Sequence, residues 1–366
     1  MSREAEARAA VERAESEPLL GHRAAAVRAA IDAAAPLLDA VPDEELRARL
    51  MLRLADVKLA ESDWAGADRA LEAAARHAGD GPFKLLAALR ACRVAIRRGP
   101  AQRAEAEQLL VATVERLPQL GSDLSSQRVL AELALAIAEV EIHHDEPDAS
   151  AFRSLDELAA GAPYVDTAFT ARQLSATFAL GRGDAQAAAR ALKATVKLAA
   201  DASSPADEVE ARIALAAALL AGGHADEAAH HTKLAKERAA EHGLADLEAA
   251  ATLAQAGVLA QTGKTANALD RVLELARTAA ANGNATQYVA AVGIMAELYA
   301  NAHDYVSAFR TVAEAHRALS QATGSDTTAL FRPHLARLRD RVGEERFAQI
   351  AADVDRANRH KPSTSG

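Results

Sequence analysis

Of 366 residues, half are hydrophobic but only 3% are aromatic, and 51 acidic side chains against 42 basic ones give a formal net charge of −9. That balance supplies no general cationic face for displacing counterions, so nucleic acid is not an expected partner. Alanine provides much of the apolar content; it favours helix and lets helices approach closely, whereas a sheet core would call for β-branched and aromatic residues, so the expected class is all-α.

The chain opens on Met1-Ser2-Arg3-Glu4-Ala5-Glu6, charged and helix-prone, without an apolar signal core. No run of about 20 apolar residues is free of charge. Cys92 is the only cysteine and can form no intrachain disulfide. A cytoplasmic chain without membrane insertion is therefore expected. Proline and glycine stop helices near Val41-Pro42-Asp43, Gly79-Asp80-Gly81-Pro82, Pro118 to Ser126, Gly161-Ala162-Pro163, Ala202 to Pro205, Asn282-Gly283-Asn284 and Thr323-Gly324-Ser325. Residues 1–42 are expected to form N-terminal capping helices, 43–322 the repeats and 326–358 a C-terminal capping pair, one continuous array over 1–358. The tail, 359–366, has too little apolar content to order.

A repeat runs through this array. Gly183-Asp184-Ala185, Gly223-His224-Ala225, Gly263-Lys264-Thr265 and His303-Asp304-Tyr305 follow one another at intervals of 40 residues. Ala188, Ala228, Ala268 and Ala308 stand three residues beyond each triplet, and Ala176, Ala216, Ala256 and Ala296 seven residues before it. Ala336, Gly343 and Ala348 keep the register, and Ala26, Ala67 and Arg98-Gly99-Pro100 extend it less regularly toward the N-terminus, with a further turn at Asp145-Glu146-Pro147. Each unit reads as a helix, a tight turn and a second antiparallel helix. Glycine supplies the positive φ of a helix C-cap, and the polar residue after it starts the next helix. One such pair cannot bury its apolar face alone, so the units must stack. The count is about nine pairs.

Ser62-Asp63-Trp64, preceded by Leu54 and Ala55 and followed by Ala67, Leu71 and Ala74, resembles the tetratricopeptide repeat (TPR), as do His303-Asp304-Tyr305 with Ala308 and Gly223-His224-Ala225-Asp226-Glu227-Ala228. That family's pattern has a small residue in helix A, a Gly-Asp-Tyr-like turn and alanines in helix B. The resemblance implies a right-handed α-solenoid of stacked antiparallel helix pairs, with a concave face lined mostly by A helices and suited to an extended segment or a helix of a protein partner. The period here is longer than the usual unit of roughly 34 residues, which calls for longer helices or longer links.

Motifs for chemistry are missing. There is no phosphate-binding G-x-x-x-x-G-K-[ST], no G-x-G-x-x-G after a strand, no H-E-x-x-H and no C-x-x-C pair. Gly181-Arg182-Gly183 belongs to a repeat turn. In His143-His144-Asp145-Glu146 and in His230-His231, neighbouring side chains on a helix diverge by about 100°, so capping or solvated roles are expected over a metal site. Cys92 falls in the small-residue column filled elsewhere by Ala55 and Ala176, as a buried thiol would, and Trp64, Tyr299 and Tyr305 fall in packing columns. No catalytic residue, metal or cofactor is expected.

Binding is the remaining class. Between Gly81 and Ala104 stand six basic residues and no acidic one, and Arg90, Arg93 and Arg97 form one helical stripe, with Arg49 and Arg53 comparable in the preceding unit and Asp56 beside them. Two readings stay open. Either the arginines are forks for the carboxylates of an acidic partner segment, or they pair inside the fold with Glu132, Glu139 and Glu141 of the next unit. The set of the TPR carboxylate clamp, lysine and asparagine together with arginine, is incomplete. A second candidate surface comprises Gln173, Thr177, Gln261, Glu297 and Asn301, among small residues such as Ala217, Gly257 and Gly293. The leading expectation is a non-catalytic adaptor or scaffold that binds a protein or peptide partner in a bacterial cytoplasm; the alternative is a regulator whose shape responds to a peptide or small effector.

Overall fold

The computed structural model describes residues 2–17, 19, 24–119, 123–143, 148–161 and 165–359. The turn at Asp145-Glu146-Pro147, the histidine cluster beyond His143, Ala162-Pro163 and the tail from His360 lie outside them. Among the described residues there are eighteen α-helices and no strand. They run in pairs: α1 (Arg3–Ser16) with α2 (Ala24–Asp39), α3 (Glu44–Ala60) with α4 (Trp64–His77), α5 (Pro82–Arg98) with α6 (Arg103–Val114), and α7 (Leu124–Glu141) with α8 (Ala149–Gly161). There follow α9 (Val165–Gly181) with α10 (Ala185–Asp201), α11 (Pro205–Ala221) with α12 (Ala225–Glu241), α13 (Ala245–Gln261) with α14 (Thr265–Ala281), α15 (Ala285–Asn301) with α16 (Tyr305–Thr323), and α17 (Thr328–Val342) with α18 (Glu344–Arg359). The odd-numbered helices are the A helices. Most helices pack chiefly on their chain neighbours, as a stack of pairs requires, while α7 packs most on α5, the A helix before it. The helices fall into two compact units, Met1–Ala218 and Leu219–Gly366, with the divide inside α11.

The long period has a simple cause. From α9 to α15 every helix is 17 residues long. Every turn between them is three, so two such helices with their turns fill one period of the sequence repeat. At about 1.5 Å per residue each rod is some 25 Å long. The excess over a shorter repeat therefore lies in the helices and not in the links.

The turns are closed by repeated bonds. Asp184 N–H donates to Ala179 O at 2.8 Å and Gly183 N–H to Leu180 O at 3.0 Å. His224 to Leu219, Lys264 to Leu259, and Asp304 to Tyr299 repeat the first of these. Gly183 holds φ at +75°, the left-handed conformation that ends the helix without a Cβ clash. His303 takes the same place at +61° without being glycine, so the turn tolerates the mild strain a side chain adds there. Asp184, Asp63 and Asp304 then accept from the backbone N–H three residues on, capping the B helix.

The alanine columns are where the rods meet. Ala176, Ala188, Ala216, Ala228, Ala256, Ala268, Ala296 and Ala308 are all buried. Leucines and valines fill the space around them, with Leu52, Leu86, Leu89 and Val94 centred in the first unit and Val292, Val312, Phe331 and Leu338 in the second. Trp64 packs on the former cluster, and Tyr299 and Tyr305 on the latter. Among the described residues no helix is long and apolar enough to cross a membrane.

Close approach reaches its limit at Gly293 of α15, where the His334 ring of α17 lies so near that a Cβ would stand 2.2 Å from its Cε1. Gly293→Ala should destabilise the second unit by about 1–3 kcal/mol through overpacking. The double variant Gly293→Ala with His334→Ala should recover part of that loss, and a urea-unfolding cycle over the four proteins measures it.

Candidate functional site

The arginine stripe is built from three A helices of the first unit lying side by side. Proline at the first position of α5 starts a helix whose residues 90, 93 and 97 share one face. α3 contributes Arg53 and Asp56, three residues apart, and α7 contributes Glu132 and Glu139, two turns apart. The A helices are one period apart in sequence, which brings these columns into register.

The stripe turns inward. Arg53, Arg90, Arg93, Glu132 and Glu139 are all buried. Arg90 Nη1 donates to Leu52 O at 2.9 Å and lies 2.9 Å from Asp56 Oδ2, while its Nη2 is 3.4 Å from Glu132 Oε1. Arg93 Nη1 donates to Glu132 Oε2 at 3.0 Å. Glu139 Oε1 accepts three N–H groups, from Arg93 Nε at 3.1 Å, Arg93 Nη2 at 3.0 Å and Arg97 Nη2 at 2.8 Å. Its other oxygen, and Arg90 Nε, have no hydrogen-bond partner among the described residues. Glu141 faces elsewhere and accepts from the Asp148 backbone N–H.

Two ion pairs span much longer stretches of chain. Arg53 Nη1 donates to Asp166 Oδ2 of α9 at 2.9 Å, and Arg128 of α7 donates to Glu15 of α1 at 3.2 Å, each bridging helices three pairs apart. Arg53 also donates to the backbone carbonyls of Ala14 and Glu17, and Arg49 pairs with Glu15. The inner face of this unit is thus tightly curved and drawn together by its own charges. Burial pushes the Glu132 carboxyl up, but the guanidiniums of Arg90 and Arg93 outweigh it and hold it down at about 2. Glu139 is likewise raised by burial and lowered further by Arg93 and Arg97, to a net fall. Both acids are ionised at neutral pH, whereas at Asp56 burial outweighs Arg90 and Arg53 and pushes the carboxyl up. The groups bonded into this network, Arg53, Arg90, Arg93 and Arg97 against Asp56, Glu132, Glu139 and Asp166, match in formal charge.

A cavity of about 370 Å³ remains over this floor. Asp56, Arg90, Arg93, Arg128, Glu132 and Asp166 give it a charged wall, Leu19, Leu59, Trp64 and Phe169 an apolar one, and Ser62, Thr170 and Gln173 a polar one. Arg97 stands at the cavity 39% exposed, held only through Nη2. Of the residues singled out in sequence, the structure brings Arg90, Arg93, Arg97 and Gln173 to this cavity, with Arg53 behind it and Arg49 on the Glu15 pair.

The residues of the second candidate surface are divided between the two units. Thr177 is exposed and donates to Gln173 O of its own helix. Gln261, in the other unit, is exposed at the end of α13. Glu297 and Asn301 accept from Arg337 and Arg341 of α17 at 2.6 and 2.8 Å. These last two are contacts between successive A helices, one period apart. Asp166, Glu15 and Arg128 complete the first site and were not singled out in sequence, since nothing local links residues 113 positions apart.

Cys92 is fully buried and donates to Ala106 O at 3.2 Å; burial, then the Glu139 charge, push its thiol up to about 12. It is a core thiol, not a nucleophile at neutral pH. His230 and His231 lie edge to face on α12 with ring centroids 5.6 Å apart.

Fold and inner face together define a protein of stacked, TPR-like helix pairs. No protein-family model matches the chain. No curated protein matches it either. Among solved structures, the crystal structure of a Signal Transduction ATPase with Numerous Domains (STAND) protein with a tetratricopeptide repeat sensor, from Pyrococcus horikoshii, is similar, with a TM-score of 0.55 at 14% identity. The likeness covers 92% of this chain and 53% of that one, so this chain spans about half the length of that protein and shares its repeat fold.

Breaking the network from one side leaves an uncompensated buried charge. Glu132→Gln should lower the unfolding free energy by roughly 3 kcal/mol at pH 7. Because the native carboxyl is depressed, its stabilisation is complete above the ordinary value of 4.5 and is lost as pH falls toward about 2. The difference between wild type and variant should therefore shrink between pH 4.5 and 2, as urea titrations across that range will measure.

Proposed function

We propose that the chain is a non-catalytic repeat protein that holds a protein partner against the A-helix face of its first unit. The observation that carries this reading is the inner cavity, in which an open polar rim lies over charges already matched to one another. Such a wall selects a guest by shape and hydrogen bonds more than by bulk charge. An acidic side chain of the partner would meet Arg97, whose remaining N–H groups are turned to no other described residue.

The paired charges and the inert thiol support a non-catalytic role. Glu132 is held at about 2 and Cys92, outside the cavity, is pushed up to about 12, while burial pushes up the Asp56 carboxyl, which lies against Arg90 and Arg53. The single buried thiol supports a reducing, cytoplasmic setting.

A second reading, a regulator whose shape responds to a ligand, is favoured by one arrangement. The pairs Arg53–Asp166 and Arg128–Glu15 set the curvature of the first unit, and a guest that replaces either carboxylate would relax it. The similar structure carries a repeat described as a sensor, which supports the same reading.

Gln173→Trp, which fills the cavity, and Arg97→Glu, which reverses its mouth, should each weaken by tenfold or more the binding of the protein that co-purifies with the wild type from its native host, with helical circular dichroism unchanged. Equal retention of that protein by both variants would sink the inner-face reading. Small-angle scattering of the wild type with and without the partner separates the two functions: a changed radius of gyration belongs to the regulator, an unchanged one to the scaffold.

A further inference from the structure

We infer that the first unit carries a second binding site, on the side of α9 opposite the inner cavity, for a small molecule bearing two or more phosphoryl groups. At about 100° per residue, Asp166, Thr170 and Gln173 share the inner side of α9, and Ser175, Ala179 and Arg182 share the other. There a cavity of about 460 Å³ opens between α8, α9 and α10, a size within the range of small-molecule sites, roughly 300–1,000 Å³. The inference is independent of the function proposed for the inner face.

Charge is arranged differently here from the inner side. Arg153, Arg172, Arg182 and Arg190 line the cavity, and the one acidic residue among the described lining is Asp184. Asp184 is already engaged, accepting the Ala187 backbone N–H as the cap of α10. On the inner side every arginine of the stripe is matched to a carboxylate. Among the described residues, no carboxylate forms an ion pair with Arg153, Arg182 or Arg190. Asp148 senses Arg153 at a distance but is bonded to Ser150.

The floor adds two further observations. Phe152 and Phe178 stack face to face at 3.7 Å, and the Arg182 guanidinium lies 5.5 Å over the Phe178 ring, so one cation is pre-positioned above an apolar base. Ser175 lines the cavity and is only 9% exposed, and its hydroxyl, buried in the wall, has no hydrogen-bond partner among the described residues. A buried hydroxyl left unpaired is costly, and a side-chain turn that brought it to a ligand oxygen in the cavity would relieve it.

The repeat itself provides the control. The equivalent groove two periods further along the chain, between α12, α13 and α14, has Gln255 where Ser175 stands and Arg271 where Ala191 stands. There Arg271 Nη1 donates to Gln255 Oε1 at 3.1 Å, so these two positions satisfy each other. In the first unit both halves of that bond are replaced by smaller side chains, and Arg153, Arg182 and Arg190 surround the space. Several planar forks around one cavity match the many oxygens of a polyphosphoryl group better than a single carboxylate.

Isothermal titration of the full chain with inorganic pyrophosphate at fixed ionic strength tests this. Saturable one-to-one binding is expected. The double variant Arg153→Gln with Arg190→Gln, both exposed and tolerant of substitution, should weaken it at least tenfold, and Arg97→Gln on the inner face should leave it within twofold. Ser175→Gln with Ala191→Arg, which copies the Gln255–Arg271 bond of the second unit, should weaken binding at least tenfold while helical content is kept. No saturable binding, or binding unchanged in both double variants, would overturn the proposal. Equal affinity for citrate would overturn the phosphoryl assignment, and tighter binding of a phosphoserine peptide than of pyrophosphate would overturn the small-molecule one.

Discussion

The constraint on which this structure depends is steric: helical rods must nest at the alanine columns, and from α9 to α15 they share one length of 17 residues with turns of only three between them. Helices in contact stand roughly 8–10 Å apart, at the short end where small side chains meet. Ala188, Ala228, Ala268 and Ala308 have no exposed surface at all, so a larger residue in that column has nowhere to go. Once the rods are fixed at this spacing, register follows within each unit, because A helices in contact meet about one period further along. The turns only need to return the chain, which Gly183 and its counterparts do at positive φ.

Register in turn explains the charge network. The ion pairs between neighbouring A helices, Arg93 with Glu132 and Glu139, Arg97 with Glu139, and Glu297 with Arg337, all join residues about one period apart. Those in the first unit are centred on buried carboxylates, and Glu297–Arg337 in the second is exposed. A buried set of this kind is poor evidence of stability, since desolvation consumes most of the Coulombic gain. What it does impose is geometry. Glu139 gathers three donors on one oxygen, and Arg53 reaches across to Asp166, so the curvature of the inner face is tied to specific partners and not to a general hydrophobic fit.

The two sides of α9 divide the electrostatics of the first unit. Inside, arginine and carboxylate cancel, and the cavity offers polar groups and one partly held guanidinium. Outside, arginines gather around an apolar floor with little acid among them. One helix serves both because its period places residues such as Gln173 and Ser175 on opposite faces, so a single rod builds a neutral wall and a cationic one.

The sequence by itself determined the helical class, the pairing and the turn positions, because alanine columns and glycine turns at a constant interval express steric needs that are local to one pair. It also held both halves of the stripe's pairing: Arg90, Arg93 and Arg97 on one side, Glu132 and Glu139 on the other. It could not decide between a solvent-facing and an inward stripe, since helical periodicity places residues on a common face without saying what covers that face. Only the tertiary structure decided that, through the packing of α3, α5 and α7. It also decided the meetings of Arg53 with Asp166 and Arg128 with Glu15, each 113 residues apart, because curvature accumulates from small rotations between pairs that no local pattern encodes.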